Sequence, residues 1–211
     1  MITRRNLLAL FCLPLVGSLQ GAGLKRVVIL GDSITAGFGL SRGEAYPALL
    51  QAKLQAEGLP FEVVGAGVSG DTTAGGLRRV GWALGGGAAV CVVALGGNDG
   101  LRGVPVSQME DNLERIVEAV RAKNPETQVV IAGMQMPANL GLEYRTAFAA
   151  VFPRVAAKCN ATLIPFLLEG VGGRPEFNLD DQIHPNAEGQ KRVAETVWRT
   201  LAPLLRQSKG G

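Results

Sequence analysis

The chain has one histidine among its 211 residues, and aromatic side chains make up only 5% of it. A lone imidazole argues against a zinc centre, because Asp181 and His184 have no convincing third ligand beside them. So few aromatics leave little surface on which sugar rings could stack. Charged residues are also sparse at 18%, and the formal net charge is +3. That near-balance supplies no electrostatic footprint for nucleic acid, and no nucleic-acid partner is expected. There are three cysteines, Cys12, Cys91 and Cys159, and their spacing fits no metal motif. Buried free thiols are expected at Cys91 and Cys159, with a disulfide open as the alternative in an oxidising compartment. The apolar stretch from Leu7 to Val16 is too short to hold a bilayer-spanning helix.

That stretch has a different reading. Arg4 and Arg5 precede it, and Gly17, Ser18, Gly21, Ala22 and Gly23 follow, the charged, apolar, small order of an export signal. The sequence around Arg4-Arg5 also resembles a twin-arginine signal. Residues 1–23 are expected to be a leader and residues 24–211 one mature domain, exported to the periplasm or secreted, with no stable membrane span after the leader is removed. Removal takes away two arginines and no acids, which lowers the formal charge to +1. Cys12 lies inside the leader and lacks the small residue before it that a lipidated cysteine needs.

What remains alternates short Val/Ile-rich runs with longer stretches of helical period. Strands are expected at Arg26–Leu30, Phe61–Val64, Val90–Leu95, Gln128–Ala132 and Thr162–Phe166. Helices are expected at Tyr46–Glu57, Thr72–Leu84, Ser107–Lys123, Leu142–Lys158 and Asn186–Leu205, with Ser107 and Glu110 reading as a capping pair. Repeated strand–helix–strand units imply an α/β fold with a five-stranded parallel sheet covered on both faces. Ligands of such sheets bind beyond the carboxyl ends of the strands. The segments to read for chemistry are therefore Gly31-Asp32-Ser33, Gly65 to Asp71, Gly96 to Asp99, Met134 to Gly141 and the connection holding Asp180, Asp181 and His184.

An imidazole can act as a base near neutral pH without perturbation, and Pro185 keeps His184 out of the following helix. A carboxylate three residues earlier can bond the other ring nitrogen and set the tautomer. Asp180 competes with Asp181 for that role. Ser33 follows a strand and a glycine, where a hydroxyl can be presented at the sheet edge, although serines there are usually turn or cap residues. The elbow Gly-x-Ser-x-Gly does not surround Ser33, which is followed by Ile34-Thr35, and this disfavours the α/β-hydrolases.

Four blocks in order change the weight on these residues: Gly31-Asp32-Ser33-Ile34, Val68-Ser69-Gly70-Asp71-Thr72, Gly96-Gly97-Asn98-Asp99 and Asp181-Gln182-Ile183-His184-Pro185. Together they resemble the GDSL, or SGNH, hydrolases over Val27 to Trp198, with isoleucine where the family name has leucine. The resemblance implies the flavodoxin-like α/β/α sandwich of that family and a serine esterase. Ser33 would be the nucleophile, His184 the base and Asp181 its orienter. The backbone N–H groups of Ser33 and Gly70 and the amide of Asn98 would form the oxyanion hole. Within the family, Leu95 to Gly103 and Met136-Pro137-Ala138-Asn139 look most like the branch of exported thioesterase, arylesterase and lysophospholipase enzymes.

The implied partner is a small acyl ester or thioester of short to medium chain, with Phe38, Leu40, Met134, Met136, Leu140 and Phe177 as candidates to hold the acyl chain. No cofactor is implied, and a monomer is expected. Carbohydrate deacetylation is the alternative on the same fold, and a catalytically silent binding protein a further one. A third class is a nicotinamide-dependent oxidoreductase, because Gly65 to Gly70 reads G-x-G-x-x-G after a strand; the stretch Gly85 to Val93 offers no acidic residue for the ribose.

Overall fold

A computed structural model describes residues 23–207. The expected leader, apart from Gly23, and Cys12 within it lie outside the described residues. Five strands, β1 (Lys25–Gly31), β2 (Phe61–Gly67), β3 (Val90–Ala94), β4 (Gln128–Ala132) and β5 (Thr162–Ile164), form one sheet in the order β2-β1-β3-β4-β5. Every pairing is parallel. Seven helices accompany them: α1 (Ser33–Ala36), α2 (Tyr46–Ala56), α3 (Thr73–Leu84), α4 (Gly97–Leu101), α5 (Val106–Lys123), α6 (Leu142–Lys158) and α7 (Ala187–Gln207). α3, α5 and α6 pack in succession as one layer, and α2 packs on α7 in the other.

Burial on both faces explains the near-continuous apolar strands. Val27 to Leu30 of β1 and Val90 to Val93 of β3 have no exposed surface, and Leu50, Phe148 and Val197 close over them from the helices. The fully buried Cys91 sits in β3 and Cys159 is half-buried at the end of α6; both are free thiols. The strand order reverses direction at β1. The chain steps from β1 to β2 on one side and then crosses to β3 on the other, which opens a crevice between the carboxyl ends of β1 and β3.

Several boundaries differ from expectation for identifiable reasons. β2 runs three residues further than its valines, so Gly65, Ala66 and Gly67 are strand paired with Ile29, Leu30 and Gly31. Half of the G-x-G-x-x-G string is therefore sheet and not a phosphate-cradling turn. Its glycines serve close packing. A Cβ on Gly67 would lie 2.3 Å from the Ala36 nitrogen and 2.8 Å from the Asp32 carbonyl oxygen, so only glycine lets α1 rest on the strand end. β5 stops at Ile164 because Pro165 has no N–H for the ladder. α5 starts at Val106, directly after Pro105 whose φ is −53°, and no side chain caps it. Ser107 is thus inside the helix, and Glu110 pairs instead with Arg154 of α6.

The Gly67 contact is testable. Gly67→Ala should lower stability by about 1–3 kcal/mol, as overpacking does in tight cores. A melting temperature equal to wild type in a thermal unfolding scan would contradict the packing account.

Candidate active site

Ser33 is positioned by three constraints from different parts of the chain. Asp32 caps α1, its Oδ1 accepting the Ile34 N–H at 3.0 Å, so Ser33 becomes the first helical residue. Its own N–H consequently has no intrahelical acceptor. Gly31 leaves no room for a side chain, since a Cβ there would come within 2.0 Å of Thr35 Oγ1. The third constraint arrives from α7: the buried Gln190 accepts the Tyr46 N–H through Oε1 at 2.9 Å and donates through Nε2 to the Ile34 carbonyl at 3.1 Å. Thr35 and Tyr46 share a further buried hydrogen bond of 2.7 Å.

The last connection before α7 folds as a short hairpin. Asn178 and Pro185 form an isolated antiparallel bridge, and the Leu179 N–H donates to the His184 carbonyl at 2.8 Å. Inside it, Asp181 Oδ1 accepts the backbone N–H groups of Ile183 and His184, both at 2.9 Å, while Oδ2 meets His184 Nδ1 at 2.6 Å. On the other side of the ring, His184 Nε2 lies 2.8 Å from Ser33 Oγ. The Phe38 ring stacks on the imidazole with centroids 4.4 Å apart, which limits the ring's rotation. Asp180 is exposed, and Asp181 is the carboxylate that meets the imidazole.

The two aspartates flanking this assembly differ in how readily they take up a proton. Burial pushes the Asp181 carboxyl upward, but donation from the His184 backbone, the His184 ring and the Ile183 N–H together outweigh it and hold it at about 2. Burial dominates at Asp32, which is pushed up to about 6 even though the Ile34 N–H and the nearby His184 oppose the shift.

Gly70 and Asn98 approach from β2 and β3. Val68 to Asp71 form a turn closed by the Asp71 N–H on the Val68 carbonyl at 3.1 Å, and Gly70 takes φ of +78°, the position in such a turn that favours glycine. Arg102 donates to the Gly70 carbonyl at 2.9 Å. Asn98, in α4, donates one amide N–H to the Asp71 carbonyl at 2.9 Å and has a long 3.4 Å contact with Asp32 Oδ2. Ser33, Asn98 and His184 line one cavity; Asp181 stands behind His184, and Gly70 does not line it.

Residues not singled out in the sequence hold this corner in place. Asp99 is buried and accepts both the N–H and the hydroxyl of Thr73, and Asn112 donates to that hydroxyl at 3.1 Å. Arg79 bonds Asp71 at 2.7 Å and reaches the carbonyls of Ala66 and Gly31, tying the ends of β1 and β2 together. Asp71 thus anchors the rim through Arg79, and Asp32 contributes by capping α1.

The cavity beside Ser33 has a volume of about 550 Å³. Met134 and Met136 line it as expected; Leu101, Phe166, Leu168 and Ile183 complete its apolar wall. The other acyl-chain candidates do not. Phe38 is occupied with His184, and Phe177 lies under the guanidinium groups of Arg174 and Arg192, while Leu40 and Leu140 are not part of the lining. Phe166 and Leu168 follow a strand that ends two residues earlier than its apolar run, which is why they read as strand and adjoining loop.

Residues 29–192 match the GDSL-like lipase/acylhydrolase family. The chain is 44% identical over 202 residues to the esterase TesA of Pseudomonas aeruginosa, a match covering 95% of this chain and 100% of that protein. It is 38% identical over 195 residues to an Escherichia coli protein named thioesterase 1/protease 1/lysophospholipase L1, covering 88% of each. A crystal structure of TesA superposes with a TM-score of 0.82 at 43% identity, covering 85% of this chain and 99% of that one. The chain belongs to the GDSL-like lipase/acylhydrolase family and is a serine ester hydrolase.

Proposed function

We propose that Ser33 is the nucleophile, His184 the general base and Asp181 its orienter, in an enzyme that hydrolyses esters and thioesters of short to medium acyl chains. The observation that carries this reading is the unbroken hydrogen-bond path from Asp181 through His184 to Ser33, ending at a largely apolar cavity. Ser33 Oγ attacks the acyl carbonyl as its proton passes to His184 Nε2. Asp181, ionised and already bonded to Nδ1, stabilises the imidazolium, which then protonates the leaving alcohol or thiol. Water, deprotonated by the same imidazole, releases the acid from the acyl-enzyme.

The negative charge of each tetrahedral intermediate falls to the Ser33 N–H, the Gly70 N–H and the second amide N–H of Asn98. The names of the relatives, an esterase and a thioesterase, support the breadth of leaving group. Residues 1–23 are proposed as the export leader on their charged, apolar, small order, placing the mature enzyme in the periplasm or outside the cell.

The roles predict separable effects on a p-nitrophenyl ester series. Ser33→Ala should lose at least about 10⁴-fold in kcat, as removal of a triad nucleophile does. Asn98→Ala should lose about 10²–10³-fold in kcat while keeping its folded circular dichroism spectrum. Retention of wild-type turnover by Ser33→Ala would refute the mechanism.

The buried carboxyl beside the nucleophile yields a stability prediction. Folding raises the Asp32 pKa from 3.8 to about 6, so the native state binds the extra proton. Its favourable contribution is complete below the unfolded value and is lost as pH rises through the folded one. Urea unfolding at pH 4, 5, 6 and 7 should show wild type losing stability relative to Asp32→Asn between pH 4 and 6. Parallel stability curves for the two proteins would show that Asp32 titrates normally.

A further inference from the structure

Among the charged groups that line the cavity beside Ser33, one is a permanent cation with no ion-pair partner among the described residues. Asp32 is engaged by the Ile34 N–H and faces Asn98, and His184 is engaged by Asp181 and Ser33. The third is Arg145, half-buried in the first turn of α6. Its Nε donates to the Met136 carbonyl at 3.0 Å, and Met136 is itself part of the cavity wall. The guanidinium is therefore fixed at its base. Its two terminal nitrogens carry four further N–H donors, and no acceptor or carboxylate among the described residues engages them. Arg79 makes the contrast: it distributes its guanidinium over Asp71, Ala66 and Gly31 and has a purely internal role.

A guanidinium held in one orientation, with its terminal nitrogens free, matches the oxygen pair of a carboxylate or phosphate. Apolar neighbours strengthen that attraction by lowering the local dielectric, and Met134, Met136, Phe166 and Leu168 supply them here. We propose that Arg145 recognises an anionic group on the substrate, so that this enzyme selects negatively charged acyl esters and thioesters over neutral ones of the same chain length. The inference rests on the serine-hydrolase reading of Ser33 and names the substrate class of that site. The anion could be carried on the acyl part, as in a half-ester of a dicarboxylic acid, or on the leaving group, as in a phosphate-bearing lysolipid.

Two matched pairs of substrates separate these sources. One pair is p-nitrophenyl hexanoate and the p-nitrophenyl half-ester of adipic acid; the other is a monoacylglycerol and the corresponding lysophosphatidic acid. In one pair, wild type should favour the anionic member in kcat/KM. Arg145→Gln should lower that anionic-to-neutral ratio by about 10-fold or more, the loss expected for a charge-assisted hydrogen bond. Arg145→Lys, which keeps the charge, should retain part of the preference, and Arg145→Glu should drive the ratio below that of Arg145→Gln. The wild-type preference should also shrink as ionic strength rises. The pair that responds identifies where the anion sits. Ratios unchanged across the three variants in both pairs would overturn the inference, as would loss of the preference in Arg145→Lys to the level of Arg145→Gln. If Ser33→Ala hydrolyses the neutral esters like wild type, the underlying reading fails, an outcome visible without any Arg145 variant.

Discussion

The hydrogen bond between Ser33 and His184 joins residues 151 positions apart, and everything proposed about the chemistry depends on it. Ser33 follows the first strand and His184 lies in the connection after the fifth, and two strands, β3 and β4, separate these in the sheet. They meet because both leave the sheet at its carboxyl edge. The meeting is secured by Gln190, in the first turn of α7 just beyond His184, which bonds backbone in both α1 and α2. The loop carrying His184 is thereby bolted to the short helix carrying Ser33, and neither can drift without breaking buried hydrogen bonds.

Charge is distributed around that bond in an uneven way that suits acyl transfer. Asp181 is near the surface, and three donors keep it ionised, so it can face an imidazolium without itself taking the proton. Asp32 is buried immediately before the nucleophile and resists ionisation. Two aspartates near one serine thus differ in proton affinity, by burial and by how many N–H groups point at each.

Much of the architecture is open to direct reading, because helical and strand periods are local properties of burial. The five strands and five long helices follow from valine-rich runs and amphipathic stretches. Ser33, Gly70, Asn98, Asp181 and His184 emerge from the four motif blocks. The misreadings share one cause. α1 and α4 are four and five residues long, too short for a period to show. The end of β2 consists of small residues that read as a turn, whereas their lack of side chains answers to a helix packed above them. Phe38 looks like an acyl-chain contact until the fold lays it on the imidazole.

By itself the order of residues determined the fold class, the chemistry available and the residue types that could perform it, since hydrophobic period and motif spacing are written along the chain. The tertiary structure alone decided which groups share a space. Strand order, β2-β1-β3-β4-β5, brings Ser33 and Asn98 to one crevice and His184 to the same edge. It also leaves Arg145 on a cavity wall with no counter-ion, something no local pattern announces. The physical reason is that burial and pairing depend on neighbours distant in sequence, and those neighbours exist only once the sheet has chosen its order.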